Sequence, residues 1–429
     1  MPLPKLVLAM VVVASFGLGG VSSAADAGPT DAARGEPLTV VLLPARVHVV
    51  ELGIKVQPSD EWTSAGRAAV DAAVREFVDQ STLLDGKELP LLAPDERAAV
   101  EEFLAVATLV QMQAYGEGAK RITSAVRAHF GQSPGRSLSF LRDRTGVDYV
   151  LVTLGTQAEQ SKELVALSAA GTVASVLFPP LLVLPSSSAS YAALFLIELG
   201  TGEVRWFNGR SGYELGGYNF TDLRDPESAR KVVAELLDPY PEIPSRFKEK
   251  AAPTVDRGGL SDEVVSPPTG WFALQVPVGW RVETDPRKGI VVATRDGRML
   301  NEIKVEFRRH ARAFPETEQK SSSDSSPDQL SQLYVAELNG QGFDDLQITE
   351  ISHNEQLAGR AAFRVRFSHR LPTEWGGARI ERVTIGAAVP GGLLLSGLSA
   401  PQLGYFAQAL PHFEESTRTV VLVPRRSPR

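Results

Sequence analysis

Two kinds of periodicity divide the chain. Leu38 to Pro44 (LTVVLLP) is a short apolar run rich in β-branched residues and closed by proline, the pattern of a buried strand. Helical spacing follows: Val70, Val74, Phe77 and Val78 recur at three and four residues, as do Val100, Phe103, Leu104 and Ala107, and then Ile122 and Val126. Gly146 ends a further short helical piece, and Val147 to Leu154 (VDYVLVTL) returns to strand character. Tyr191 to Leu199 is the next predicted strand, Gly200, Thr201 and Gly202 supply a turn, and Glu203 to Asn208 (EVRWFN) is its hairpin partner. Asp225 is placed to cap a helix that has Pro226 at its first position and Val232, Val233, Leu236 and Leu237 as its buried stripe.

Pro241 to Gly270 has no apolar period and is rich in proline, charge and small residues, which predicts a linker. Beyond it the pattern is mostly two-fold. Strands are predicted at Trp271–Val276 and Ile290–Thr294, and at 303–308, where Ile303, Val305 and Phe307 alternate with Lys304, Glu306 and Arg308. A polar loop, Ser321–Ser326, leads to a helix marked by Leu330, Tyr334 and Leu338 and stopped at Gly340. Phe363, Val365 and Phe367 alternate with Arg364, Arg366 and Ser368, further strands cover Ile380–Val389 and Leu393–Leu398, and a last helix covers Gln402–Leu410. The fold class expected is α/β and α+β: a three-layer α/β sheet domain over 36–240, a linker over 241–269, and an antiparallel sheet flanked by helices over 270–424.

One segment fits neither rhythm. Leu164–Ser190 carries no charge over 27 residues, long enough to cross a bilayer, but Pro179 and Pro180 would break a straight helix in its middle. An apolar hairpin is expected, buried against the first domain or a neighbouring subunit, with Leu164, Val173, Leu177, Phe178, Leu181 and Leu182 as its membrane or interface residues. Peripheral membrane contact would run through Leu164 to Leu184.

At the start of the chain, Lys5 precedes the apolar run Leu6–Leu18 and the small residues Gly19–Ala27, the layout of a cleaved signal peptide. The expected leader is 1–25, with cleavage after Ala25 or after Ala27. That predicts an exported protein, periplasmic or secreted. The absence of cysteine excludes disulfides, thiolate chemistry and a lipid-bearing cysteine. A net charge of −7 gives no electrostatic footprint for nucleic acid.

Catalytic patterns are sparse. The histidines His48, His129, His310, His353, His369 and His412 are scattered, with no HExxH spacing. GRSG at Gly209–Gly212 lacks the spacing of a nucleophile elbow, and Gly209, Gly212, Gly216 and Gly217 do not form a phosphate cradle. No catalytic, metal or cofactor site is expected. Lys304, Arg308, Arg364 and Arg366 form an anion-binding face if adjacent strands align them, or a solvated sheet face otherwise. Trp206 is expected to pack in its hairpin, and Trp375 is a second aromatic of open role.

The residues Tyr149–Val152 (YVLV), Tyr191–Leu199 and Thr201–Asn208 (TGEVRWFN), followed by a helix, resemble the periplasmic α/β domain of the curli secretion channel subunit and its envelope relatives. Those relatives are usually lipidated, and this chain departs from them in having no cysteine. Phe272–Trp280 (FALQVPVGW), Ala358–Phe367 (AGRAAFRVRF) and the closing LLLSGLSAPQLGYFAQALPHFEES are similar to the PsbP-like domain family. Together the resemblances imply a non-enzymatic envelope interaction or assembly module, with an envelope protein or a second copy as partner. A membrane-associated transport or secretion component, or a periplasmic hydrolase, is the alternative.

Overall fold

A computed structural model of the chain describes residues 37–52, 56–116, 137–160, 189–202, 204–213, 222–237, 258–285, 288–317, 319–373 and 376–423. The leader, the Ile122 and Val126 pattern, residues 164–188 of the uncharged segment and most of the expected linker lie outside the described residues. The chain forms two compact units that are discontinuous in sequence: Met1–Pro90, Asp143–Ile197 and Arg205–Lys248 make the first, and Leu91–Arg142, Glu198–Val204 and Glu249–Arg429 the second.

In the first unit, β1 (Leu38–Leu42) and β2 (Arg46–Leu52) both run parallel to β5 (Tyr149–Gln160), β1 along Tyr149–Leu151 and β2 along Leu154–Gln160. The short β3 (Val56–Pro58) pairs with β2, and β4 (Leu84–Glu88) lies parallel to β1. β6 (Ala189–Glu198) pairs with β5 and with β7 (Val204–Tyr213), the hairpin expected from the sequence. Helix α1 (Asp60–Gln80), capped by the Ser59 hydroxyl, turns Val70, Val74 and Val78 inward. The carboxylate of Asp225 accepts from Ser228 N at the start of α4 (Pro226–Leu237). Val232, Val233, Leu236 and Leu237 of α4 meet Val40, Val47 and Leu194 of the sheet in one core, and Trp206 packs against it.

Helix α2 (Pro94–Gly116) belongs to the second unit, which differs from the contiguous division expected over 36–240. Its expected stripe is really a helix buried on most sides from Phe103 to Val110, and such all-round apolarity marks a helix enclosed by protein. Glu102 ties it to the second unit by accepting from Arg379 N at 2.8 Å and from Arg370 Nη1 at 3.2 Å. Between the units' segments, α3 (Ser139–Thr145) ends before Gly146, whose φ of 67° is the left-handed turn that glycine adopts without cost.

The second unit is built on a seven-stranded antiparallel sheet. Its order is β10 (Arg281–Asp285), β11 (Ile290–Thr294), β12 (Glu302–Arg309), β16 (Gly392–Pro401), β15 (Arg379–Val389), β14 (Arg360–Arg370) and β13 (Asp344–Leu357). A small second sheet joins β8 (Leu260–Val265), β9 (Phe272–Pro277) and β17 (Val421–Leu422). β8 therefore occupies part of the span 241–269 expected as linker. Helix α5 (Pro327–Gly340) starts from a capping box of Ser326 and Gln329 and lies over β13, β14 and β15. It ends as expected at Gly340, but the left-handed turn glycine is Gly342, with φ of 68°. Helix α6 (Ala407–Arg418) packs against β9 and β16. It begins five residues later and ends eight later than Gln402–Leu410, because Gly404 (φ 81°) breaks the first turn, and it carries Pro411 inside it.

Candidate functional site

Side chains directly opposite one another in an antiparallel sheet share a face. Glu302, Lys304, Glu306 and Arg308 of β12 stand opposite Ser399, Gly397, Leu395 and Leu393 of β16. Ser399 and Gly397 in turn face Arg382 and Thr384 of β15, which face Phe367 and Val365 of β14. Phe367 and Val365 pack under α5. All these residues thus share the α5 face. Because α5 covers β13 to β15, the β12 and β16 end of that face is left with a cavity of about 270 Å³. Tyr334, Leu338 and Gln341 of α5 and its end form one wall, Gly397, Ser399 and Thr384 the floor, and the β12 charges with Arg382 the rest.

Arg364 and Arg366 are one residue out of phase with Val365 and Phe367, so they project from the opposite face. The four cations expected on one anion-binding face are consequently split two and two across the sheet. Arg364 is held by Glu414 of α6 at 3.1 Å, with Glu350 at 3.6 Å and Glu355 at 3.8 Å. Arg366 donates to Glu381 and lies over the Phe406 ring at 5.0 Å. Both serve the packing of that face.

On the cavity side, Glu306 is buried and accepts from Lys304 at 2.8 Å and from Arg308. Burial alone would raise its carboxyl, but Arg308 and Lys304 outweigh that and hold it below the usual carboxylate range. Arg308 also donates to Ala313 O at 3.0 Å and lies 3.6 Å from Glu337, whose carboxylate accepts from Glu316 N and Gln341. Lys304 and Arg308, expected on an anion-binding face, line the cavity but are committed to internal carboxylates.

Arg382 is different. It lines the cavity, its Nε is buried, and among the described residues that Nε has no hydrogen-bond partner and the guanidinium no ion pair within 4 Å. Its planar group lies over Phe343, 5.3 Å from the ring centroid. Burial lowers its affinity for a proton, against Tyr334 and Glu302, which favour the charge; arginine nonetheless stays protonated. Burial likewise raises the carboxyl of Glu302 against Arg298, Lys304 and Arg382. Tyr334 shares a hydrogen bond of 2.9 Å with Thr384 Oγ1 beside it. Sequence reading passed over Arg382, although a cation inside the apolar strand Ile380–Val389 was the available signal.

Elsewhere, Ser321 Oγ lies 2.9 Å from His310 Nδ1, and Ser331 Oγ lies 3.0 Å from His353 Nε2. The Ser331 hydroxyl donates at 2.8 Å to Asp328 O, so it accepts from the imidazole and offers it no proton, and Ser331 is buried. Among the described residues, no group of three His, Asp or Glu side chains converges as a metal site. No helix there is long and apolar enough to cross a membrane. Leu164, Val173, Leu177, Phe178, Leu181 and Leu182, with Trp375, lie outside the described residues.

No protein-family model matches the chain, and no curated protein matches it. Among solved structures it is similar in fold to cyanobacterial PsbP (CyanoP) from Synechocystis sp. PCC 6803, at 12% identity and a TM-score of 0.28, over 41% of this chain and 99% of that one. The Ran-binding protein Mog1p of Saccharomyces cerevisiae is similar at 13% identity and a TM-score of 0.27, over 38% of this chain and 97% of that one. LpqN of Mycobacterium tuberculosis, described as involved in cell envelope biogenesis, is similar at 13% identity and a TM-score of 0.21, over 40% of this chain and 88% of that one. These likenesses concern backbone geometry over part of the chain.

Proposed function

We propose that the protein is an exported, non-enzymatic interaction module of the bacterial envelope, and that its second unit receives an anionic group in the cavity beside Arg382. The observation that carries the reading is Arg382, which lines a cavity of about 270 Å³ and, among the described residues, has no ion pair, while the cavity's other cations are already paired. A partly buried guanidinium without a counter-charge is costly, and an anionic group entering the cavity beside it offsets that cost. Export is supported by the order of Lys5, the apolar run and the small residues that follow. A binding role rather than hydrolysis is supported by the commitment of the Ser331 proton to Asp328 O. The first unit, with its parallel strands and its strand, turn, strand and helix over Ala189–Leu237, is read as the curli-channel-like assembly domain.

Titration of the full chain with acetate and with inorganic phosphate, followed by ligand-observed NMR or thermal shift, tests the reading. At least one anion should bind, and Arg382→Met should weaken that binding tenfold or more. Equal binding by the variant, or no binding of either anion, would overturn it.

A further inference from the structure

The charges around the cavity limit what it can hold. Lys304, Arg308 and Arg298, the last 3.9 Å from Glu302, balance the three carboxylates Glu302, Glu306 and Glu337, and Arg382 is a fourth cation. Arg382 alone among the cations lacks an ion pair, so the cavity offers one local positive charge inside a neutral surround. A dianion brought there would meet one guanidinium and the repulsion of Glu302 and Glu306. A monoanion is matched. The planar fork of a guanidinium also fits the two oxygens of a carboxylate.

The rest of the lining is neutral and able to hydrogen-bond. Thr384 and Ser399 contribute hydroxyls from the floor and Gln341 an amide from the wall, while Tyr334, Leu338 and Leu395 add apolar surface. Gly397 keeps the floor low: a Cβ there would lie 3.3 Å from Thr384 Oγ1 and project into the space between them. The volume is at the small end of ligand pockets and suits one ring or one chain end rather than an extended molecule.

From these features we infer that the cavity binds a small hydroxylated monocarboxylate, the chemistry of a uronic acid, with its carboxylate on Arg382 and its hydroxyls on Thr384, Ser399 and Gln341. This rests on the anion-receptor reading above and narrows it to one class. The acidic neighbours exclude polyanions, and the hydroxyl and amide groups reward a polar ring.

Three probes on one scaffold test it in the full chain by ligand-observed NMR: glucuronate, glucose and glucose 6-phosphate. Glucuronate should bind at least tenfold more tightly than either of the others, and Arg382→Met should abolish its advantage over glucose. Should glucose 6-phosphate bind as tightly as glucuronate through Arg382, the anion receptor stands and the carboxylate assignment falls. Should acetate and phosphate bind through Arg382 and glucuronate not, the hydroxylated class falls. Were Arg382→Met to lose its fold, Gly397→Val, which fills the floor from within the sheet, replaces it; glucuronate binding unchanged in that variant would overturn the location.

Discussion

Arg308 donates from Nε to Oε1 of Glu306, two residues earlier on the same strand, at 2.9 Å. That bond keeps one of the cavity's cations from acting on a ligand. Glu306→Gln retains the shape and removes the charge, releasing Lys304 toward the cavity and leaving Arg308 with Glu337 and Ala313 O. Glucose 6-phosphate should then gain at least tenfold in affinity relative to glucuronate, measured by competition NMR. Because the carboxyl is held below its usual range in the folded state, its contribution to stability is present above the unfolded value and lost as pH falls through the folded one. At neutral pH the variant should lose about 1–3 kcal/mol in chemical denaturation, the scale of charge-assisted bonds to a buried acceptor.

Two glycines of the same sheet should respond very differently to alanine. A Cβ on Gly386 would fall 2.4 Å from the ring of Phe363 and 2.7 Å from Leu395, both immobilised in the core under α5. On Gly397 the nearest atom is Thr384 Oγ1 at 3.3 Å, beside open cavity. Gly386→Ala should cost about 1–3 kcal/mol, the range for overpacking, and Gly397→Ala distinctly less. Equal midpoints in urea for the two variants would contradict the placement of the core and the cavity.

Much of this sheet is legible in the sequence. Ile303, Val305 and Phe307, and Phe363, Val365 and Phe367, announce their strands by alternation, and the helix stripe at Leu330, Tyr334 and Leu338 announces α5. What alternation within a strand does not carry is the face it turns to its neighbour. That depends on register across β12, β16, β15 and β14, and a shift of one residue reverses it. Hence Lys304 and Arg364, each the polar member of its own pattern, end on opposite faces. Arg382 escaped notice for the same reason: its isolation is created by neighbours three strands wide. The membership of α2 in the second unit was hidden because its spacing looks like one stripe, whereas its burial extends around the helix.

In the first unit, Gln157 is fully buried on β5 and joins the loop that precedes α4. Its Oε1 accepts from Leu223 N at 2.8 Å, and its Nε2 donates to Asp222 at 3.0 Å. Asp222 in turn grips Arg224, whose guanidinium lies over Trp62 of α1 at 4.7 Å. Gln157→Leu leaves the Leu223 N–H buried without its acceptor. A loss of about 1–3 kcal/mol is expected in chemical denaturation, with faster proteolysis around Asp222. Unchanged stability and cleavage would show that the loop is held by other means.

Acid should weaken the second unit through His369. That residue is 3% exposed, its ring lies 4.3 Å from that of Phe343, and its Nδ1 donates to Arg370 O at 3.2 Å. A carbonyl only accepts, so Nδ1 carries a proton, and the buried Nε2 has no partner for a second one. Burial, reinforced by Arg382 and Arg379, holds the pKa down to about 4, against an ordinary value of about 6.5. Between those values the unfolded chain takes up a proton that the folded chain refuses, so stability is full above the ordinary value and falls as pH drops toward 4. From pH 7.5 to 5.5 this group alone removes about 1.4 kcal/mol. His48 in the first unit is also pushed down to about 4, by burial and by Arg46 and Arg67, and it remains in both proteins of the comparison. His369→Gln, which cannot titrate, should therefore show a smaller loss of stability over that interval than the parent chain, by about the same 1.4 kcal/mol. Denaturation curves at the two pH values measure it; identical losses in the two proteins would mean that His369 is already charged in the folded state.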